Sequence, residues 1–288
     1  MTPEDCYNFL REITLHDDSL VHAKNILKKK YDSRRLEVLD KIVVEYVKYY
    51  RENKKLCGYS QDIVKRRVEL LNSYYNYIFE NQFDNAYTSQ SKFRPTILEE
   101  FMSLLFTDMV CEIKNKIQNN VESIDYGAAR AYTNLFFSGL NFQNFIDSPS
   151  IGVNEKNQDF AIFRKTKLSV DEASVIDISL PVVAIENKTY LDKTMLEGSI
   201  ATAEKIKSGN PYCLFCIVSE LYDVSLNVDP AYSRIDQIFI LRKSTPRDER
   251  QQIFCDVVYQ LVDLVYKHLN RPWSDIQNKI KSTGVLLG

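Results

Sequence analysis

The chain has 288 residues, 44 % of them hydrophobic and 26 % charged. That balance excludes a disordered chain, and 8 Gly with 8 Pro excludes a collagen-like or low-complexity one. The 37 basic residues nearly cancel the 39 acidic ones, leaving −2, so a uniform polycation is excluded but a local basic face is not.

The start, MTPEDCYNFLREI, carries acids where a signal peptide needs a basic and then an apolar region. No apolar run reaches the roughly 18 residues that span a bilayer. A cytoplasmic chain without a membrane segment is expected, with its 6 cysteines as reduced thiols. The 3 histidines, His16, His22 and His268, are scattered, which argues against a histidine-rich metal site. Residues 24–67 hold 14 Lys+Arg against 6 Asp+Glu. Leu36, Leu39, Val43, Val47 and Tyr50 recur there at helical spacing, so residues 1–90 read as a helical region. Its basic residues, Lys28, Lys29, Lys30, Arg34, Arg35, Lys65, Arg66 and Arg67 among them, make either a solvated face or a surface that follows DNA phosphates. Tyr74, Tyr75 and Tyr77 either pack between helices or touch DNA.

Residues 84–95 are polar and end at Pro95, the signature of a linker. Thr96 is the expected N-cap of a long helix, with Glu99 completing a capping box and Ile97, Phe101, Leu104 and Leu105 forming its buried stripe. Residues 119–150 are expected to be helical, with a loop at Ser148-Pro149-Ser150. The period then turns strand-like. NQDFAIFRK (157–165) alternates, and PVVAIENK (181–188) begins a strand at Pro181. Residues 193–208 read as a helix, with Asp192 and Lys193 at its start. CLFCIVSE (213–220) reads as a strand covered on both faces, which makes Cys213 and Cys216 buried thiols rather than a metal pair. QIFILRK (237–243) is a further strand and residues 247–269 a closing helix. The predicted class is α/β, a mixed sheet flanked by helices.

Glu186 and Lys188 stand two apart in an extended segment, so both leave the same face of the sheet at the end of the run VVAI. Asp159, one predicted strand upstream, lies beside them if the two strands pair as a hairpin; Asp177 is the rival upstream carboxylate. Buried charges of this kind are costly unless they pair or bind an ion. Two carboxylates suit a hard cation such as Mg²⁺, with a lysine beside it, the outline of metal-assisted phosphodiester hydrolysis.

Asp159, Glu186-Asn187-Lys188, a preceding helix with paired glutamates and a following helix and apolar strand together resemble the PD-(D/E)XK nuclease superfamily over roughly residues 95–220. Gln158 stands where proline is usual. FRPTILEEFMSLLF, QDFAIF and AIENKTYLDKTMLEG are similar to type II restriction endonucleases of the BbvCI type, which pair two related, non-identical subunits. The resemblance implies a restriction-endonuclease-like catalytic core over residues 91–288. It further implies Asp159, Glu186 and the Asn187 carbonyl as ligands of Mg²⁺, which Mn²⁺ can replace and Ca²⁺ occupies without turnover. Lys188 would then sit at the attacking water, and Glu99 or Glu100 would reach in from the helix. The expected protein is a subunit of a site-specific double-stranded DNA endonuclease that cuts one strand to leave a 5′-phosphate, works with a related subunit, and self-associates when isolated. Alternatives are a non-catalytic DNA-binding or assembly subunit, or a repair or mobile-element nuclease of the same superfamily.

Overall fold

The computed structural model describes residues 1–31, 36–83, 92–117, 123–169 and 175–286. Arg34, Arg35 and most of the expected linker, residues 84–91, lie outside them. Four helices come first: α1 (Pro3–His16), α2 (Val21–Lys30), α3 (Leu36–Lys54) and α4 (Gln61–Glu80). The predicted stripe of α3 is buried at Leu39, Val43, Val47 and Tyr50, while Leu36 at its start is exposed. Next come α5 (Phe93–Lys116), β1 (Ile124–Ser138), α6 (Phe142–Asp147), β2 (Ser150–Ser169), β3 (Val175–Asp192) and α7 (Lys193–Gly209). The chain closes with β4 (Leu214–Asp223), β5 (Gln237–Ile240), α8 (Cys255–Asn270) and α9 (Ile276–Ser282).

The strands form one sheet in the order β1-β2-β3-β4-β5. β1, β2 and β3 are antiparallel neighbours, whereas β3, β4 and β5 run parallel, with α7 as the crossover between β3 and β4. The sheet is mixed, as expected, and helices cover both faces. Phe160, Ile162, Val183, Ile185, Cys216 and Val218 point into a core shared with α1–α5 and α8. Ala184, Phe215 and Ile217 point the other way, onto Leu196, Ala203 and Ile206 of α7. The alternation of side chains along a strand thereby assigns successive residues of β3 to opposite layers. Among the described residues no helix is long and apolar enough to cross a membrane.

Several sequence expectations are corrected. Residues 124–138 form a long strand, not a helix. Their alanines suit a helix locally, but Ala131 is fully buried in the α7 core, where small side chains let helix and sheet approach. Thr96 is not an N-cap: α5 begins at Phe93, with Lys92 in the cap position. Pro95 fits inside the first turn because that turn's N–H groups have no helical partner anyway, and the Thr96 hydroxyl donates to the Phe93 carbonyl at 2.9 Å. Pro181 does not open its strand but sits within β3, where the register with β2 slips. A residue without an N–H is tolerated at such a bulge. The last long helix starts at Cys255 rather than 247, and α9 follows it unforeseen. Cys213 and Cys216 are buried as expected, and burial pushes the Cys213 thiol up to about 12.

Helix α7 ends where it meets β1. A Cβ on Gly209 would lie 1.8 Å from the Thr133 carbonyl oxygen. Backbone cannot move aside cheaply, so Gly209→Ala should lower the stability of the fold by about 1–3 kcal/mol, read as a fall in the urea midpoint at unchanged slope.

Candidate active site

The site arises from the pairing of β2 with β3. Phe160 lies opposite Ile185, and carrying that register one step outward sets Asp159 against Glu186. The join is fixed by a hydrogen bond from the Asn187 backbone N–H to Asp159 Oδ2 at 2.8 Å. Glu186 follows Ala184 onto the α7 face, and Lys188 follows Glu186, its Nζ 3.3 Å from Glu186 Oε2. Ser199, buried on α7, donates its hydroxyl to the same oxygen at 2.5 Å. Sequence reasoning missed Ser199; nothing marks it except its place two turns into the helix after the motif. Asp192 caps α7 by accepting the Met195 N–H at 2.7 Å, and so serves the helix start.

Asp177, the rival carboxylate, is exposed near the other end of the β2–β3 ladder, opposite Lys167. The paired glutamates part company. Glu99 comes from α5 close enough to feel the charges of Asp159 and Lys188. Burial, reinforced by Asp159, pushes its carboxyl up to about 7. Burial likewise raises Asp159, against the Asn187 hydrogen bond and the Lys188 charge. Glu100 turns away into the helical layer. It accepts the backbone N–H groups of His22 and Ala23 at 2.9 and 3.0 Å and the Tyr46 hydroxyl at 2.6 Å. It thereby anchors the first turn of α2, a carboxylate at a helix N-terminus, and the structure does not bring it to the other candidates.

Lys92 was also missed. It has φ +51, in the left-handed region, and its charge acts on both Glu99 and Asp159. Glu220 of β4 is fully buried and accepts hydrogen bonds from Arg94 Nη2 at 3.0 Å, Arg242 Nε at 2.8 Å and the Tyr75 hydroxyl at 3.1 Å, with Arg242 Nη2 in ion-pair contact at 2.8 Å. Burial pushes its carboxyl up, but the two guanidiniums outweigh this and hold it below its ordinary value. Arg94 on α5, Tyr75 on α4 and Arg242 after β5 are thus tied to one carboxylate.

The basic candidates separate as well. Arg67 is only 3 % exposed. Its guanidinium donates to the carbonyls of Asn53 and Leu56 at 3.1 and 2.9 Å and lies 3.3 Å from Asp108. It closes the end of α3 rather than facing solvent, which corrects its place in a DNA-facing surface. Lys65 and Arg66 are exposed, Arg66 in an ion pair with Glu69 at 2.9 Å. Lys28 is exposed and Lys29 half-buried; Lys30 pairs with Glu4 at 2.6 Å and lies over the Tyr7 ring. Tyr74 and Tyr75 are buried between helices, whereas Tyr77 is half-buried.

The donor set fits a hard cation in one respect and limits it in another. Asp159 and Glu186 present carboxylate oxygens from adjoining strands. Both amide atoms of buried Asn187, and Oε1 of buried Gln158, have no hydrogen-bond partner, so these two strands carry unsatisfied polar groups beside the carboxylates. Among the described residues no group of three or more His, Cys, Asp or Glu is placed to hold a metal. Two carboxylates with no histidine or cysteine beside them among the described residues suit a hard, oxygen-binding cation better than Zn²⁺.

A five-stranded mixed sheet flanked by helices is the architecture of a restriction-endonuclease-like protein. The model of the Bpu10I restriction endonuclease family matches residues 90–252, and the chain belongs to that family. Among solved structures, a chain described as "native BbvCI A2B2 tetramer at low resolution" is similar in fold, with a TM-score of 0.65 at 17 % identity. The match covers 88 % of this chain and 96 % of that one. A search of curated proteins finds no significant match.

Glu99 holds its proton more tightly in the folded chain than in the unfolded one, where it titrates at the ordinary carboxylate value. The native state therefore gains stability at acid pH and loses it as pH rises toward about 7. In chelator, Glu99→Gln should flatten that decline and raise stability at about pH 8 by about 1–2 kcal/mol relative to the parent. Urea midpoints at about pH 5 and about pH 8 measure it; an unchanged pH slope would count against the raised carboxyl.

Proposed function

We propose that this chain is a catalytic subunit of a type II restriction endonuclease, hydrolysing one strand of a short site in double-stranded DNA. The observation that carries the reading is the juxtaposition of Asp159, Glu186 and Lys188 within the paired strands β2 and β3, next to their buried apolar stretches 160–163 and 183–185, in a chain of a restriction endonuclease family. In this reading residues 91–288 are the catalytic core, and residues 1–90 a helical region that contacts DNA or a partner.

The chain's own groups divide the work. The Asn187 N–H holds Asp159 in register, and the Ser199 hydroxyl holds Glu186. Lys188 places an ammonium beside Glu186, where it offsets charge on the scissile phosphate and orients the attacking water. Glu99, with a carboxyl near neutrality, holds or releases a proton at the edge of the site. Asp159, Glu186 and the Asn187 carbonyl are the residues that would hold Mg²⁺, which when bound supplies Lewis acidity and acidifies water. In-line attack on phosphorus leaves a 5′-phosphate and a 3′-hydroxyl. Mn²⁺ should replace Mg²⁺, and Ca²⁺ should support binding without cutting, since it takes more ligands in looser geometry. The similar BbvCI structure is described as an A2B2 tetramer, which supports a related, non-identical partner here, each subunit cutting one strand.

The test uses supercoiled plasmid bearing one site, with the partner subunit present. Asp159→Ala, Glu186→Ala and Lys188→Ala should each reduce cutting by this subunit at least about 100-fold while leaving DNA binding nearly intact. The complex with the Lys188 variant should accumulate open circles nicked in one defined strand. Linear product at the normal rate would remove this chain from the chemistry.

Lys65 and Arg66 remain candidates for phosphate contact. Replacing both with Gln should weaken binding to every sequence and lower the salt slope by up to about one unit for each phosphate no longer neutralised. An unchanged slope would reduce the basic stretch to a solvated face.

A further inference from the structure

The β1–β2 ribbon runs past the edge of the body. No residue from 134 to 157 is buried, although β1 and β2 stay paired out to Ser138 and Ser150. The tip is built rather than frayed. The Phe136 ring occupies the space above Gly152, and α6 folds back so closely that a Cβ on Gly139 would meet the Phe145 backbone at 2.8 Å. Asn141 caps α6 by accepting the Asn144 N–H at 2.9 Å. Yet the tip exposes Phe136, Phe137, Phe145 and Ile146, with Leu140 at 94 % and Phe142 at 80 %.

Those side chains present about 700 Å² of apolar surface, taking roughly 200 Å² for a whole aromatic residue. The largest apolar patch on a monomer is about 300–600 Å², whereas a stable interface covers roughly 800 Å² on each partner. A two-stranded ribbon without its own core is also marginal in water. Over residues 131–153 the only charged residue is Asp147, and it accepts hydrogen bonds from the Gln143 amide. With no Lys or Arg in that span, the tip lacks the positive charge that drives binding to a phosphate backbone. A neutral, apolar surface is instead its own complement, since two copies meet without like-charge repulsion, as an isologous two-fold contact demands.

We propose that the arm formed by residues 134–153 is a homotypic docking surface, and that it joins this chain to a second copy of itself. The contact is separate from the site residues and independent of whether the chain cleaves DNA.

Sedimentation velocity of the isolated full-length chain over a range of micromolar concentrations tests this. The parent chain should form a concentration-dependent dimer, and Leu140→Arg with Phe142→Arg should sediment as monomer at every concentration with an unchanged melting temperature. The milder Leu140→Ser should raise the dissociation constant at least about tenfold, the effect of 1.4 kcal/mol. A parent chain that stays monomeric, or a double arginine variant that dimerises as the parent does, overturns the proposal. So does a variant that keeps the dimer but loses affinity for DNA, because the arm would then be a DNA contact.

Discussion

The site rests on one pairing, that of β2 with β3. Because side chains alternate along a strand, a slip of one residue would send Asp159 to the helical layer and bring Phe160 toward α7. The register is held on both sides. Phe160 is locked into the larger core beside Ile185, and the Asn187 N–H reaches across to the Asp159 carboxylate. A backbone N–H just beyond the paired residues thereby bonds to a side chain instead of a carbonyl and fixes where that carboxylate points. Glu186 and Lys188 then reach the α7 face by period alone, and Ser199 meets them there.

Much of this was legible from residues. The Glu186-Asn187-Lys188 spacing, the carboxylate one strand upstream and the helix after them all require only local periodicity and one hairpin, and the structure has both. What was not legible depends on long-range contact. The segment with Ala128, Ala129 and Ala131 favours a helix by propensity, and only its place under α7 explains a strand. Thr96 has the right neighbours for a cap, yet its hydroxyl is used inside the helix beside His22. Ser199 and Lys92 carry no sequence signal, since a lone serine in a helix and a lysine before a proline-containing turn are ordinary.

Charge shows the same limit more sharply. The run Lys65-Arg66-Arg67 reads as one basic patch, but helical geometry turns Arg67 inward, where three acceptors compensate its burial, while Lys65 and Arg66 stay in solvent. Adjacent Glu99 and Glu100 diverge for the same reason. A residue step of about 100° around a helix is enough to separate a site residue from an anchor. Removing one partner from such a buried group leaves an uncompensated charge, so Arg67, Glu100 and Glu220 tolerate change poorly without belonging to the chemistry.

The two cores that clasp the sheet are unequal: among the described residues the α1–α5 and α8 side gathers 44 buried hydrophobic residues and the α7 side 10. Partial opening follows the weaker seam, because local unfolding draws on the least buried apolar contact. Helix α7 lies on that thinner core, and its detachment would take Ser199 and the Asp192 cap with it. A chain caught in that state keeps its helical body but has lost the alignment of Glu186. The placement of Glu186 thus depends on the thinner of the two cores, through the Ser199 hydroxyl.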